Sequence, residues 1–343
     1  MRLRREENRT KKTRNGFLVL LILVVLCYFL MLLLDYGIST LGLNKVSDET
    51  NAKRNGEMFG DASKGTKDQD RSTYLQQKFR YEYGEMIRSK LETRDVKLPS
   101  DMETLSLLSD VYTRENEGIN FIQVGACDGN FLASNDPVQR LLQNSHWHGV
   151  LMEPVPFLFE KLQANVESSM ASAKQRLYLM NAALSSANGP QAFYVVNDEF
   201  AKEKPEETHA LKYQIGSFNK NHIVKHLSKL QRRNELQFDV DHYIDTVTVR
   251  GVTPDTVVHE FKQSNLAVRD GTIDVLLIDA EGYDFIVLKS FMNIAHLRPP
   301  VIIYENLHLS ANDKQQAQDL LVANGYTVWT VRWNSIGVKI ADI

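Results

Sequence analysis

Apolar residues follow different patterns in successive stretches of the chain. From Phe17 to Leu34 they run unbroken as FLVLLILVVLCYFLMLLL, without a charge. As a helix this run spans about 27 Å, enough to cross a hydrocarbon core. Residues 35–72 are polar, with no hydrophobic period, and are expected to form a flexible stem. A helical stripe returns over Tyr74 to Leu91, at Leu75, Phe79, Tyr83, Met86 and Ile87, and a second short helix is expected over Asp101 to Tyr112, with Ser100 or Asp101 as N-cap. From Gly118 onward short apolar runs alternate with amphipathic stretches. INFIQVG, HGVLME, RLYLMNAAL, AFYVVN, DTVTVRG, DVLLIDA and PPVIIYEN read as strands; DPVQRLLQN, PFLFEKLQANV, TPDTVVHEFKQ, YDFIVLKSFMNI and DKQQAQDLLVANG read as helices. Such alternation predicts an α/β fold, a mostly parallel sheet with helices on both faces. YTVWTVRWNSIGVKI closes it as an antiparallel hairpin. The expected organisation is a tail (1–16), a transmembrane helix (17–34), a stem (35–72), a helical extension (73–117) and a catalytic-sized domain (118–343).

Charge orients the apolar run. Seven Lys and Arg precede it, from Arg2 to Arg14, against Glu6 and Glu7, and Asp35 follows it. The positive-inside bias holds the N-terminus in the cytosol and sends the rest to the lumen. The expectation is a single-pass type II protein of the Golgi or endoplasmic reticulum, since the span is short enough for thin bilayers. The run is too long for a cleaved signal peptide and lacks a small-residue cleavage site. The net charge of −3 and the mixed signs along the body argue against a nucleic-acid partner. Two cysteines, Cys27 and Cys127, allow neither a disulfide framework nor a cysteine metal site. Cys127 reads as a small loop residue.

Candidate chemistry gathers where strands end. In FIQVGACDGN a buried strand meets a turn with Gly125 and Gly129 four residues apart. The G-x-G-x-x-G dinucleotide pattern is absent, which speaks against an NAD-dependent oxidoreductase. Glu153, in Met152-Glu153-Pro154, is placed to accept hydrogen bonds from ribose hydroxyls. Asp279, Glu281 and Asp284 crowd the end of the most apolar strand in IDAEGYD. With a period of two, Asp279 and Glu281 leave the same side of an extended segment, where they could orient a hydroxyl, accept its proton or hold a divalent ion. Asp284 suits the start of a helix. Tyr304-Glu305-Asn306 with His308, and the segment Gly216 to His222, are weaker candidates for a base or a substrate contact.

Together FIQVGACDG, HGVLMEPVPFLFEKLQANV, LMNAALS, GSFNKNH, IDVLLIDAEGYDFIVLKSF and VIIYEN resemble the FkbM family of S-adenosylmethionine-dependent methyltransferases over roughly residues 118–330. The resemblance implies a Rossmann-like methyltransferase sheet with its antiparallel closing hairpin. It implies a cofactor site at Gly125, Ala126, Asp128, Gly129, Glu153, Pro154 and Asn181, with Asp279 and Glu281 as the catalytic residues, facing the transferred methyl or the substrate, one of them as the base. The cofactor would be S-adenosylmethionine, with a divalent metal as an option. The reaction implied is O-methylation of a hydroxyl. With a luminal domain, the acceptor is expected to be a glycan, a glycolipid or another small molecule. The alternative is a catalytically inactive methyltransferase fold serving as a trafficking or binding factor.

Overall fold

The computed structural model describes residues 62–92, 97–129, 138–204, 215–234 and 237–339. The expected tail and membrane anchor lie outside these residues, as does most of the stem. Among the described residues no helix is long and apolar enough to cross a membrane.

The strands are β1 (Ile119–Val124), β2 (Trp147–Met152), β3 (Leu177–Met180), β4 (Ala183–Leu184), β5 (Gly189–Val196), β6 (Ile244–Val252), β7 (Val275–Ile278), β8 (Val301–Glu305), β9 (Tyr326–Val331) and β10 (Asn334–Lys339). The helices are α1 (Ala62–Glu92), α2 (Asp101–Arg114), α3 (Val138–Leu142), α4 (Pro156–Ser169), α5 (Asp198–Glu203), α6 (Lys220–Asn234), α7 (Pro254–Gln263), α8 (Asp284–Met292) and α9 (Ala311–Ala323). A seven-stranded sheet runs in the order β3-β2-β1-β7-β8-β10-β9. Its first five strands are parallel, and the β9–β10 hairpin closes it antiparallel on β8. The fully buried strands β1 and β7 are apolar almost throughout, as a sheet covered on both faces requires.

Successive residues of one strand serve opposite faces. Phe121, Trp147 and Leu151 pack with Leu75, Phe79, Leu105, Leu108 and Tyr112 of α1 and α2. Ile122, Val150 and Leu276 pack with Phe261, Phe285, Leu288 and Leu321 of α7, α8 and α9. The N-terminal helices therefore cover part of one face of the main sheet. Helix α1 starts at Ala62, inside the stretch expected to be stem. Ser100 caps α2 in a reciprocal capping box with Glu103. Thr253 caps α7, with Pro254 in its first turn, as the sequence predicts.

One expectation is corrected. AFYVVN and DTVTVRG do not join the main sheet. As β5 and β6 they pair antiparallel along their length and, with β4, form a separate three-stranded sheet. Alternation alone does not say which sheet a strand enters. Helix α6 packs on this small sheet through Ile223, Leu227 and Leu230, against Val196, Phe200 and Tyr243.

Register places the site. Val124 pairs with both Met152 and Ile278, and Ile278 pairs with Tyr304. The loops that begin at Gly125, Glu153, Asp279 and Glu305 therefore leave one edge side by side. Strand order reverses at β1, between β2 and β7, which is where open α/β sheets bind ligands.

Candidate active site

The loop after β1 is held by its neighbours. The amides of Gly125 and Ala126 both donate to the Met152 carbonyl, at 3.0 and 2.8 Å, and the Asp279 amide donates to the Val124 carbonyl at 2.9 Å. Gly125 has φ +85°, and a Cβ there would lie 1.8 Å from the Asp279 carbonyl oxygen. Only glycine lets the two loops approach this closely. Gly129, at φ +67°, lies against Leu162, and Asn165 donates to the Asp128 carbonyl at 2.7 Å.

Glu153 is 4% exposed. Its carboxylate accepts from the Cys127 amide at 3.0 Å and the Val155 amide at 2.9 Å. Burial pushes its carboxyl up to about 8, against the pull of these two amides. Asn181 stands behind it, donating to the carbonyls of Glu153 (2.8 Å) and Pro154 (3.2 Å). It is not among the residues that line the cavity in front. Burial, then the nearby Glu153 and Asp128, push the Cys127 thiol up to about 12, which keeps it protonated and a poor nucleophile.

A cavity of ≈ 540 Å³ opens in front of these loops. Gly125, Ala126, Asp128, Gly129, Glu153 and Pro154 line one side, and Asp279, Glu281, Glu305 and His308 line the other. Its volume lies in the range of small-molecule sites.

The acid motif differs from its expected geometry. Strand β7 ends at Ile278, so Asp279 and Glu281 do not share an extended segment. Asp279 is exposed at the cavity. Glu281 lies in a turn with φ +49°, followed by Gly282 at +84°. A left-handed non-glycine residue stores strain, which is found preferentially at functional sites. Asp284 is fully buried and does more than complement a helix dipole. Its carboxylate accepts from the amides of Ala280 (2.9 Å) and Gly282 (3.0 Å) and so closes the turn. Burial pushes it up to about 6.

The turn aims Glu281 at a group of histidines. Its Oε2 lies 3.2 Å from His222 Nε2 and 3.6 Å from His308 Nε2, and His308 Nε2 lies 3.9 Å from Glu305 Oε2. The rings of His222, His226 and His308 stand 4.6, 4.9 and 5.0 Å apart, centre to centre. Helix α6 supplies His222 and His226, and the loop after β8 supplies His308. The segment before α6 docks on the turn: Ser217 Oγ donates to the Glu281 carbonyl at 3.2 Å, and the Phe218 and Tyr283 rings meet at 4.9 Å. Gly282 has no Cβ to keep His222 away, since one would sit 3.2 Å from His222 Nδ1. Burial, followed by His226 and His308, takes His222 down to about 3; burial, followed by His226, takes His308 down to about 4. Burial and the neighbouring Asp279 raise both Glu281 and Glu305, the latter to about 8.

His222, His308 and Glu305, weak candidates in the sequence, are thus drawn together with Glu281. His226 was missed, although His222-x-x-x-His226 on one helix carries the spacing of two ligands on one face.

The family model for the methyltransferase FkbM domain matches residues 123–328. No curated protein matches the chain at a significant level.

Proposed function

The chain belongs to the FkbM methyltransferase family, and from that premise we propose that it is an S-adenosylmethionine-dependent O-methyltransferase acting on a hydroxyl of a glycan or glycolipid. The observation that carries this reading is the pairing, across one cavity, of a buried acid on the Gly125 side with an exposed acid at the end of β7. Glu153 fits a nucleoside. A carboxylate has about four acceptor positions, and the Cys127 and Val155 amides take two, leaving capacity for ribose hydroxyls. The glycine turn lets backbone approach a ligand closely. Bound here, S-adenosylmethionine supplies a methyl group on a sulfonium centre.

Methyl transfer to an alcohol requires an in-line approach, exclusion of water and a proton acceptor. Asp279 is the acid exposed at the cavity, so the role of proton acceptor falls to it. Glu281 is drawn back among the histidines. The basic tail and the apolar run at 17–34 support a type II anchor, which would place this cavity in the Golgi or endoplasmic reticulum lumen beside glycan acceptors.

Calorimetric titration of the full chain with S-adenosylmethionine tests the cofactor assignment. Glu153→Ala should weaken binding by about 10-fold or more, the value of a lost charge-assisted hydrogen bond. Asp279→Asn should keep cofactor affinity while S-adenosylhomocysteine production with glycolipid acceptors falls by about 10²–10⁴-fold. Absence of cofactor binding by the native chain would instead make this fold a binding module. Protease protection of the domain in sealed microsomes tests the topology.

A further inference from the structure

We propose that His222, His226, His308, Glu281 and Glu305 form a binding site for one divalent first-row transition cation, zinc being the best match, in the wall of the cavity. Around an ion that holds its ligands at about 2.1 Å, neighbouring ligand atoms must lie about 3–4 Å from one another. The separations here are 3.2 Å (His222–Glu281), 3.6 Å (His308–Glu281) and 3.9 Å (His308–Glu305). One ligand atom each from His222, His226 and His308 fall within 4.8 Å of one another, as do those of Glu281, Glu305 and His308. His308 belongs to both groups and joins them, and Glu281 also reaches His222 of the first group.

Three of these atoms have no hydrogen-bond partner. His222 is 7% exposed, and its Nε2 has no hydrogen-bond partner; neither does Oε2 of Glu281 or of Glu305. His222 Nε2 and Glu281 Oε2 are close without the alignment of a hydrogen bond. Buried polar atoms almost always find a partner, and unpartnered lone pairs turned toward each other are what a ligand shell presents. The chain also spends local strain on this geometry. Glu281 is left-handed, and the absence of a side chain at Gly282 admits the His222 ring. Ser217 holds the Glu281 carbonyl from outside the shell.

Three imidazoles with carboxylates favour zinc or its transition-metal neighbours over magnesium or calcium, which prefer oxygen and water. Glu281, Glu305 and His308 line the cavity, whereas His222 and His226 do not. The ion would thus be fixed from behind by α6 and open toward the cavity, where an acceptor oxygen can reach it. Metal binding does not rest on the methyltransferase reading; the contact with an acceptor does.

The test is a metal titration of the full chain after stripping with a chelator. The native chain should bind one equivalent of zinc, at least about 10³-fold more tightly than magnesium. Cobalt(II) in its place should show visible absorption from imidazole coordination. His226→Ala, on the half-buried outer side, and Glu281→Gln should each weaken zinc binding by about 10²-fold or more, whereas exposed His242→Ala should not change it. Failure of the native chain to bind zinc, or equal zinc affinity in native and His226→Ala chains, overturns the proposal, and the first of these outcomes does not depend on how any variant folds. S-adenosylmethionine titrated alongside separates the two readings. Zinc bound without cofactor leaves the metal site and removes the enzyme; cofactor bound without zinc does the reverse.

Discussion

Two groups of buried polar side chains sit at opposite ends of β7, and they are built differently. At the amino end, Asp274 is completely buried and paired with Arg269. Its carboxylate also accepts from the Tyr112 hydroxyl at 3.0 Å and the Asn120 amide at 2.8 Å. Arg269 lies over the Tyr112 ring, 5.0 Å from its centre. Asn120 Oδ1 accepts the Val268 amide at 2.9 Å, and its Nδ2 donates to the Thr272 carbonyl at 2.8 Å. One positive and one negative charge cancel, and both oxygens of Asp274 have donors. At the carboxyl end, Glu281 faces His222 and His308, Glu305 faces His308, and each acid has an oxygen without a donor. Desolvating charge is expensive unless partners repay it. At the amino end a cation sits against the acid, although Arg269 Nε and Nη1 have no hydrogen-bond partner; at the carboxyl end the acids have no arginine or lysine among the contacts described above.

Substitutions at the two ends should therefore differ in kind. Arg269→Ala strands a buried carboxylate and should destabilise the chain by about 3–5 kcal/mol, read as a lowered denaturation midpoint with unchanged slope. A loss below about 1 kcal/mol would erase the contrast, for it would mean that Asp274 does not need its partner. Tyr112→Phe removes one charge-assisted donor and keeps the ring beneath the guanidinium. It should cost about 1.5–3 kcal/mol, the usual value for a hydrogen bond to a charged group. Neither change should alter zinc or S-adenosylmethionine affinity, because both residues lie at the far end of the strand.

The two ends also differ in how far the sequence shows them. The carboxyl end is marked by residue types that a strand end has no structural reason to collect, so Gly125, Glu153, Asp279 and Glu281 stand out, and register then aligns their loops. Arg269 and Asp274 do not stand out. Arg269-Asp270-Gly271 has the composition of an exposed turn, and only the folded chain shows its arginine buried beneath α2. Glu281 was recognised as an acid but given the wrong direction, because periodicity carries no information once a strand ends in a left-handed turn. His226 was legible in spacing, yet its meaning depended on His308, which is far away in sequence and brought near only by β8 and α6. The small β4-β6-β5 sheet was hidden for a similar reason, since local pattern shows that a strand exists and leaves its partner open.

The smallest expected effect is the most discriminating. Glu281→Gln in the cation-stripped chain replaces a buried carboxyl, raised well above its ordinary range by burial and by Asp279, with a neutral group of the same shape. No hydrogen bond is lost at Oε2, which has none. Stability should stay within about 1 kcal/mol of the native chain or rise, in line with removal of a group kept for function rather than folding. Added zinc should then stabilise the native chain against denaturation and have a much smaller effect on the variant, because a ligand that binds only the folded state raises its stability in proportion to its affinity. If Glu281→Gln instead unfolds the stripped chain as readily as Arg269→Ala, the carboxylate is an internal structural partner, and the two ends of β7 are alike after all.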